Sequence, residues 1–196
     1  YFPLKKSLNL YEFLEKNPPN IVFILMESMS NHYFELHSKE LNLLGDLNEI
    51  LPELYYFKNG LSSFNGTIYS LENLMVNTPK GIISQSPYFD TSFSSSVSKP
   101  FKEQGYETYF MTGAHLSWRN TDKFIKKQGF DIIKGSSHIK QKFPNAEDFA
   151  WGTHDGYLFD YIKDLLQQSP SKPKMIFSLT VSNHTPYEIP THYKPY

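Results

Sequence analysis

The sequence predicts an α/β domain: a mainly parallel central sheet flanked by helices. Three observations carry that expectation. The apolar run at 21–26 (I-V-F-I-L-M) follows Asn17-Pro18-Pro19-Asn20 and stops at Glu27, which reads as a strand buried on both faces. Comparable runs at 106–112 and 175–181 alternate with stretches of helical spacing. Each run gives way to polar residues, and in parallel sheets ligands sit beyond the carboxyl ends of the strands.

The chain can be read in order on that basis. Residues 4–16 form a lead-in helix that ends before Pro18. Leu41, Leu44, Leu47, Ile50, Leu51 and Leu54 share a helical face, but Gly45 and Pro52 divide it. Residues 55–61 read as a second strand ending at Asn59-Gly60. A small-residue loop, 62–67, precedes Ile68, Leu71, Leu74 and Met75 at helical spacing, and the Ser-, Thr- and Pro-rich stretch 78–98 is loop. Helices follow at 99–104 and 122–128, each stopped by a glycine, with a short strand at 130–133 and an irregular passage at 138–150. The clearest amphipathic helix is 155–168, and the tail after 185 is broken by prolines.

Composition narrows the function. The 196 residues suffice for one domain, and a net charge of −1 gives no electrostatic case for nucleic acid. Without cysteine there is no disulfide, thiol nucleophile or thiolate metal site. No apolar run approaches the roughly 20 residues needed to span a bilayer, so membrane attachment is expected from segments outside the sequence. Of 19 basic residues only Arg119 is arginine, the side chain suited to bidentate phosphate or carboxylate contacts.

The polar residues beyond the strands are the candidates: Glu27 and Ser28, Thr67, His115, Arg119, and Asn183 with His184. Glu27 reads equally well as the first solvated residue after a strand. Thr67, between a glycine-containing loop and a helix, is suited to capping. The same position offers helix N–H groups that favour a phosphate. His115 and His184 read either as ordinary satisfied histidines or as site residues. Asp155 reads as a carboxylate interacting with a helix dipole, and His32 and His37 as solvated.

Six stretches carry a resemblance: N-I-V-F-I-L-M-E-S (20–28), S-S-F-N-G-T-I-Y-S-L-E (62–72), G-Y-E-T-Y-F-M-T-G-A-H-L-S-W-R-N (105–120), G-F-D (129–131), W-G-T-H-D-G-Y-L-F-D (151–160) and S-L-T-V-S-N-H-T-P-Y (178–187). In this order they resemble the extracytoplasmic catalytic domain of the lipoteichoic acid synthase and phosphoglycerol transferase family, within the sulfatase-like, alkaline-phosphatase-like superfamily. The resemblance implies a linker from a membrane region at 1–19 and a partial catalytic domain at 20–196. It implies that Glu27 and Thr67 bind one divalent cation, Mn²⁺ or Mg²⁺, with Thr67 as the nucleophile. Trp118, Arg119, His184 and His115 then fall around the substrate. The implied donor is a membrane phospholipid resembling phosphatidylglycerol, and the acceptor a glycan or teichoic-acid chain outside the cytoplasm.

Two departures stand out. The family's tryptophan and arginine can be separated by one residue, whereas Trp118 and Arg119 are adjacent. The family's downstream Asp-His metal ligands have no counterpart here, so about half a metal site and no activity of this chain alone are expected. Other readings are a non-catalytic domain binding glycan or lipid head groups, or another superfamily hydrolase or phosphoethanolamine transferase. Formylglycine sulfatases need a Cys or Ser motif where this chain has G-T-I-Y-S.

Overall fold

The computed structural model describes residues 16–62, 64–168, 172–191 and 193. The lead-in helix expected at 4–16 lies, apart from Lys16, outside these residues. In chain order the main elements are β1 (Ile21–Leu25), α1 (His32–Glu35), α2 (Leu47–Ile50), α3 (Thr67–Val76), α4 (Ser98–Glu103) and β2 (Glu107–Thr112). There follow α5 (Thr121–Lys127), β3 (Ile132–Lys134), α6 (Ser136–Lys142), β4 (Asp148–Phe149), β5 (Gly152–Thr153), α7 (Asp155–Gln167) and β6 (Lys174–Leu179). Short 3₁₀ turns occupy Leu51–Glu53 and Trp118–Asn120.

Four strands form one parallel sheet in the order β1-β6-β2-β3, and β4 and β5 form a separate antiparallel pair. The α/β class with a mainly parallel sheet is therefore what the structure shows. Strand β6 is central because its six residues, K-M-I-F-S-L, are buried throughout. Alternate side chains serve opposite layers, as the two-residue period of a strand requires. Phe110, Met175, Phe177 and Leu179 join Ile68, Leu71 and Met75 of α3 and Phe124 and Ile125 of α5. Tyr109, Met111 and Ile176 join Ile139 of α6 and Leu158 and Ile162 of α7. In register, Phe23 and Phe110 both pair with Phe177, and both rings stack on the Phe177 ring, at 4.9 and 6.2 Å.

Several expectations are corrected. Strand β1 is not buried on both faces: it lies at the edge of the sheet, and Val22, Phe23 and Ile24 are 37–42% exposed. Residues 55–61 are loop, with Tyr55 and Phe57 projecting into solvent. The helical face at 41–54 is split into α2 and a 3₁₀ turn, as Gly45 (φ +54°) and Pro52 suggest. The passage at 138–150 holds most of α6 as well as β4. His37 does more than meet solvent, since its Nδ1 accepts the N–H groups of Leu43 and Leu44. Among the described residues no helix is long and apolar enough to cross a membrane.

Candidate active site

Sheet register decides which residues meet. Leu25 of β1 and Thr112 of β2 both pair with Leu179 of β6, so three strands end level. Just beyond, Thr180 N–H donates to Leu25 O at 3.1 Å, and Glu27 N–H donates to Thr180 Oγ1 at 2.7 Å. Asn183 Nδ2 donates to the Glu27 carbonyl at 3.3 Å. The backbone of Glu27 is thus held on both sides by the segment that leaves β6.

Thr67 is the first residue of α3, and Gly66 takes the capping position at φ +147°, a conformation that strongly favours glycine. Freed from capping, the Thr67 hydroxyl donates to Glu27 Oε2 at 2.8 Å. Ser28 Oγ donates to the other carboxylate oxygen, Oε1, at 3.0 Å. Two residues separated by 40 positions therefore share one hydrogen bond at the head of a ten-residue helix. The helix end adds its orphan N–H groups and partial positive charge to this spot.

The Glu27–Thr67 pair faces a cavity of about 280 Å³. Its walls include His115, Ser117 and Trp118 from the loop after β2, Trp151 from the β4–β5 turn, and Val181 and His184 beyond β6. The structure thus brings to one cavity five of the six residues to which the resemblance gives a role: Glu27, Thr67, His115, Trp118 and His184. The sixth, Arg119, sits in the left-handed region at φ +50° and turns its guanidinium to Gln85, Nη1 donating to Oε1 at 2.6 Å. His115 is exposed and shares a 3.0 Å hydrogen bond between its Nδ1 and Ser136 Oγ.

Among the described residues the lining carries one carboxylate and no lysine or arginine. An anionic substrate needs a counter-charge there. Glu27 and the Thr67 hydroxyl are hard oxygen donors of the kind Mg²⁺ and Mn²⁺ take, and such ions often use one or two carboxylates completed by phosphate and water. The pair fits as part of a cation site. Among the described residues no group of three His, Asp or Glu side chains is placed to hold a metal ion.

Sequence reasoning missed the part played by Asp155. Beyond its place at the start of α7, its carboxylate accepts the N–H of Val181 (2.8 and 3.1 Å) and of Ser182 (2.7 Å). Ser182 Oγ in turn accepts Asp155 N–H at 2.8 Å. Burial pushes the Asp155 carboxyl above the ordinary aspartate range, partly offset by these N–H groups. The partner lies 26 residues downstream, and no spacing rule reaches it.

The sulfatase family model matches residues 19–196. Phosphoglycerol transferase I of Escherichia coli (strain 55989 / EAEC) is 31% identical over 187 residues, covering 85% of this chain and 23% of its own length. The chain thus spans about a quarter of that relative. A solved structure of an alkaline phosphatase superfamily protein from Vibrio parahaemolyticus superposes with a TM-score of 0.76 at 24% identity, covering 91% of this chain and 44% of that one. The lipoteichoic acid synthase LtaP from Listeria monocytogenes gives 0.72 at 19%, covering 88% and 42%. The phosphoglycerol transferase GacH of Streptococcus pyogenes, in complex with sn-glycerol-1-phosphate, gives 0.62 at 18%, covering 94% and 51%. With nearly the whole sequence inside the family model, the chain belongs to the sulfatase family and is similar to its phosphoglycerol transferases.

Proposed function

We propose that this chain carries the nucleophile half of a phosphoglycerol-type transferase that draws on a membrane phospholipid resembling phosphatidylglycerol. The observation that carries the reading is the 2.8 Å hydrogen bond from Thr67 Oγ1 to Glu27 Oε2 at a helix N-terminus, in a cavity walled by Trp118 and His184. The names of the relatives support the group transferred, and the residues support the way it is done.

Thr67 Oγ attacks the phosphorus of the donor, its proton passing to the carboxylate it already touches. The P–O bond to diacylglycerol breaks, and the proton held by Glu27 goes to the departing oxygen, so that diacylglycerol leaves as the alcohol. Thr67 then holds the phosphoglycerol group as an ester. An acceptor hydroxyl on a glycan or teichoic-acid chain attacks the same phosphorus while His184 takes its proton; the P–O bond to Thr67 breaks, and that proton returns to Thr67 Oγ to restore the hydroxyl. Glu27 and Thr67 would hold a divalent cation, Mn²⁺ or Mg²⁺, which when bound lowers the hydroxyl pKa and neutralises phosphoryl oxygens. Trp118 and His115 would flank the glycerol end. Arg119 would have to leave Gln85 to reach a phosphate, so its part in binding is the least supported of the six by the geometry. Completion of the cation site would fall to residues beyond this chain, and the chain by itself would then be inactive. The reaction would take place at the outer face of the cell membrane, with attachment through segments outside this sequence.

Intact-mass analysis tests this. The full-length protein incubated with Mn²⁺ and phosphatidylglycerol vesicles is expected to gain one phosphoglycerol on the peptide containing Thr67, and Thr67→Ala to gain none. Turnover with Thr67 unmodified under single-turnover conditions would refute it. The second reading is a non-catalytic domain that binds glycan or lipid head groups. Head-group binding that persists in Thr67→Ala, with no adduct on the parent protein, would select it.

A further inference from the structure

The sequence contains two tryptophans, and both line the cavity. Trp118 was legible as a site candidate, whereas nothing in composition or spacing singled out Trp151. We infer that Trp151 is a positioning residue for His184, holding its ring in one orientation and one tautomer.

The geometry begins with the base on which Trp151 stands. Ala150 and Trp151 form the two-residue turn between β4 and β5. That turn is fastened to the end of β2: Thr153 N–H donates to Gly113 O at 2.9 Å, and His115 N–H donates to Trp151 O at 3.2 Å. The approach is so close that a Cβ on Gly152 (φ +138°) would lie 2.1 Å from Gly113 O. Trp151 therefore belongs to the β2 edge of the sheet, while His184 belongs to the segment leaving β6.

The two side chains meet on a single atom. Trp151 Nε1–H donates to the Thr185 carbonyl at 2.7 Å, and His184 Nδ1 lies 2.9 Å from that same oxygen. A carbonyl oxygen only accepts, and at 2.9 Å it is closer to Nδ1 than the Thr185 hydroxyl at 3.4 Å, so the shorter contact puts the hydrogen on His184 Nδ1 and leaves the neutral ring's lone pair on Nε2. The rings also pack at 4.1 Å between centroids, tilted by 46°. Trp151 thus fixes Thr185 O from one side, covers the imidazole, and leaves Nε2 as the ring's proton acceptor. This is the arrangement by which a hydrogen bond on one imidazole nitrogen sets the role of the other. The consequence for transfer rests on the function proposed above; the tautomer does not.

The test has two arms. In the first, the tautomer of His184 is read by long-range ¹H–¹⁵N NMR of the ¹⁵N-histidine protein, with His184→Gln providing the assignment. The parent protein is expected to show a single Nδ1–H tautomer, and Trp151→Ala a mixture shifted toward Nε2–H. Trp151→Phe, which keeps a ring but lacks the donor, is expected to fall between them. Parent-like His184 signals in a folded Trp151→Ala protein overturn the inference. If Trp151→Ala does not fold, Trp151→Phe decides alone, and parent-like signals there overturn it as well.

In the second arm, Trp151→Phe in the full-length protein is expected to lower kcat of transfer about two- to tenfold, the value of one neutral hydrogen bond, with KM changed less than twofold. The same substitution placed on His184→Gln is expected to cost nothing further, and an equal loss in both backgrounds overturns a role through His184. Absence of any transfer by the full-length parent protein would count against the proposed function and leave the NMR result to judge Trp151.

Discussion

Thr180→Val isolates the contact that holds Glu27. The substitution keeps the side chain's shape and removes Oγ1, which accepts Glu27 N–H at 2.7 Å. Thr180 is 4% exposed, so a methyl group there meets no solvent and water cannot take the place of the lost oxygen from that side. A buried donor left without a partner costs about 1–3 kcal/mol. Glu27 itself is half-buried, which lets water recover part of this and brings the expected loss to about 1–2 kcal/mol. For a domain of this size each kcal/mol moves Tm by roughly 2–4 °C, so a fall of about 2–8 °C is expected by circular dichroism. The backbone of Glu27 is then tethered from this segment only through Asn183, and Mn²⁺ affinity measured by titration calorimetry is expected to fall several-fold. Thr180→Ser should restore both quantities. A Thr180→Val protein with parent-like Tm and Mn²⁺ affinity, or a serine variant as impaired as the valine one, would refute the reasoning.

Two further predictions concern the supports of the site. Gly113→Ala places a Cβ 2.5 Å from Thr153 O and 3.0 Å from Val181 Cγ2, so it is expected to destabilise by about 1–3 kcal/mol in urea unfolding. At Asp131 burial favours the neutral acid, but Lys102 Nζ at 2.7 Å and the N–H and O–H of Thr108 outweigh it and hold the carboxyl below the ordinary range. A lowered folded pKa means the contribution is present above the unfolded value near 3.9 and lost as pH falls through the folded one. Urea unfolding at pH 3, 5 and 7 should therefore show a smaller loss on acidification in Lys102→Met than in the parent.

Strands β2 and β6 and helices α3 and α7 were legible because their apolar residues repeat at the strand or helix period and their ends carry proline, glycine or polar residues. Residues 55–61 show the limit of that signal. Their Tyr, Phe and Leu residues suit a strand, but a strand also needs an edge to pair with, and in the structure Tyr55 and Phe57 stand in solvent instead. Strand β1 failed in the opposite sense. Its composition matches a central strand, yet among the described residues only β6 pairs with it, and exposure follows from neighbours that composition does not reveal. Helix α6 escaped notice because one fully buried residue, Ile139, is its whole apolar anchor. At the site, the candidates beyond the strand ends could be found because a parallel sheet collects them. Asp155 and Trp151 could not, since each acts through a backbone group more than 25 residues away.

The first strand supplies Glu27, but the placement of the candidate site is governed from the sixth. Thr180 and Asn183 hold the backbone of Glu27, Asp155 fastens Val181 and Ser182 between them, and Thr185 joins His184 to Trp151. A single stretch of backbone thus sets both the carboxylate and the imidazole. The Trp118 wall has a different support. Fully buried Glu72 accepts the N–H groups of Ile83 and Ser84, Asn120 Nδ2 donates to Ser84 O at 3.2 Å, and Arg119 reaches Gln85 from the same turn. Residues that share a network couple, and residues in separate networks add. Substitutions at Thr180, Asp155 and Trp151 should therefore be non-additive with one another, and each should be additive with Glu72→Gln.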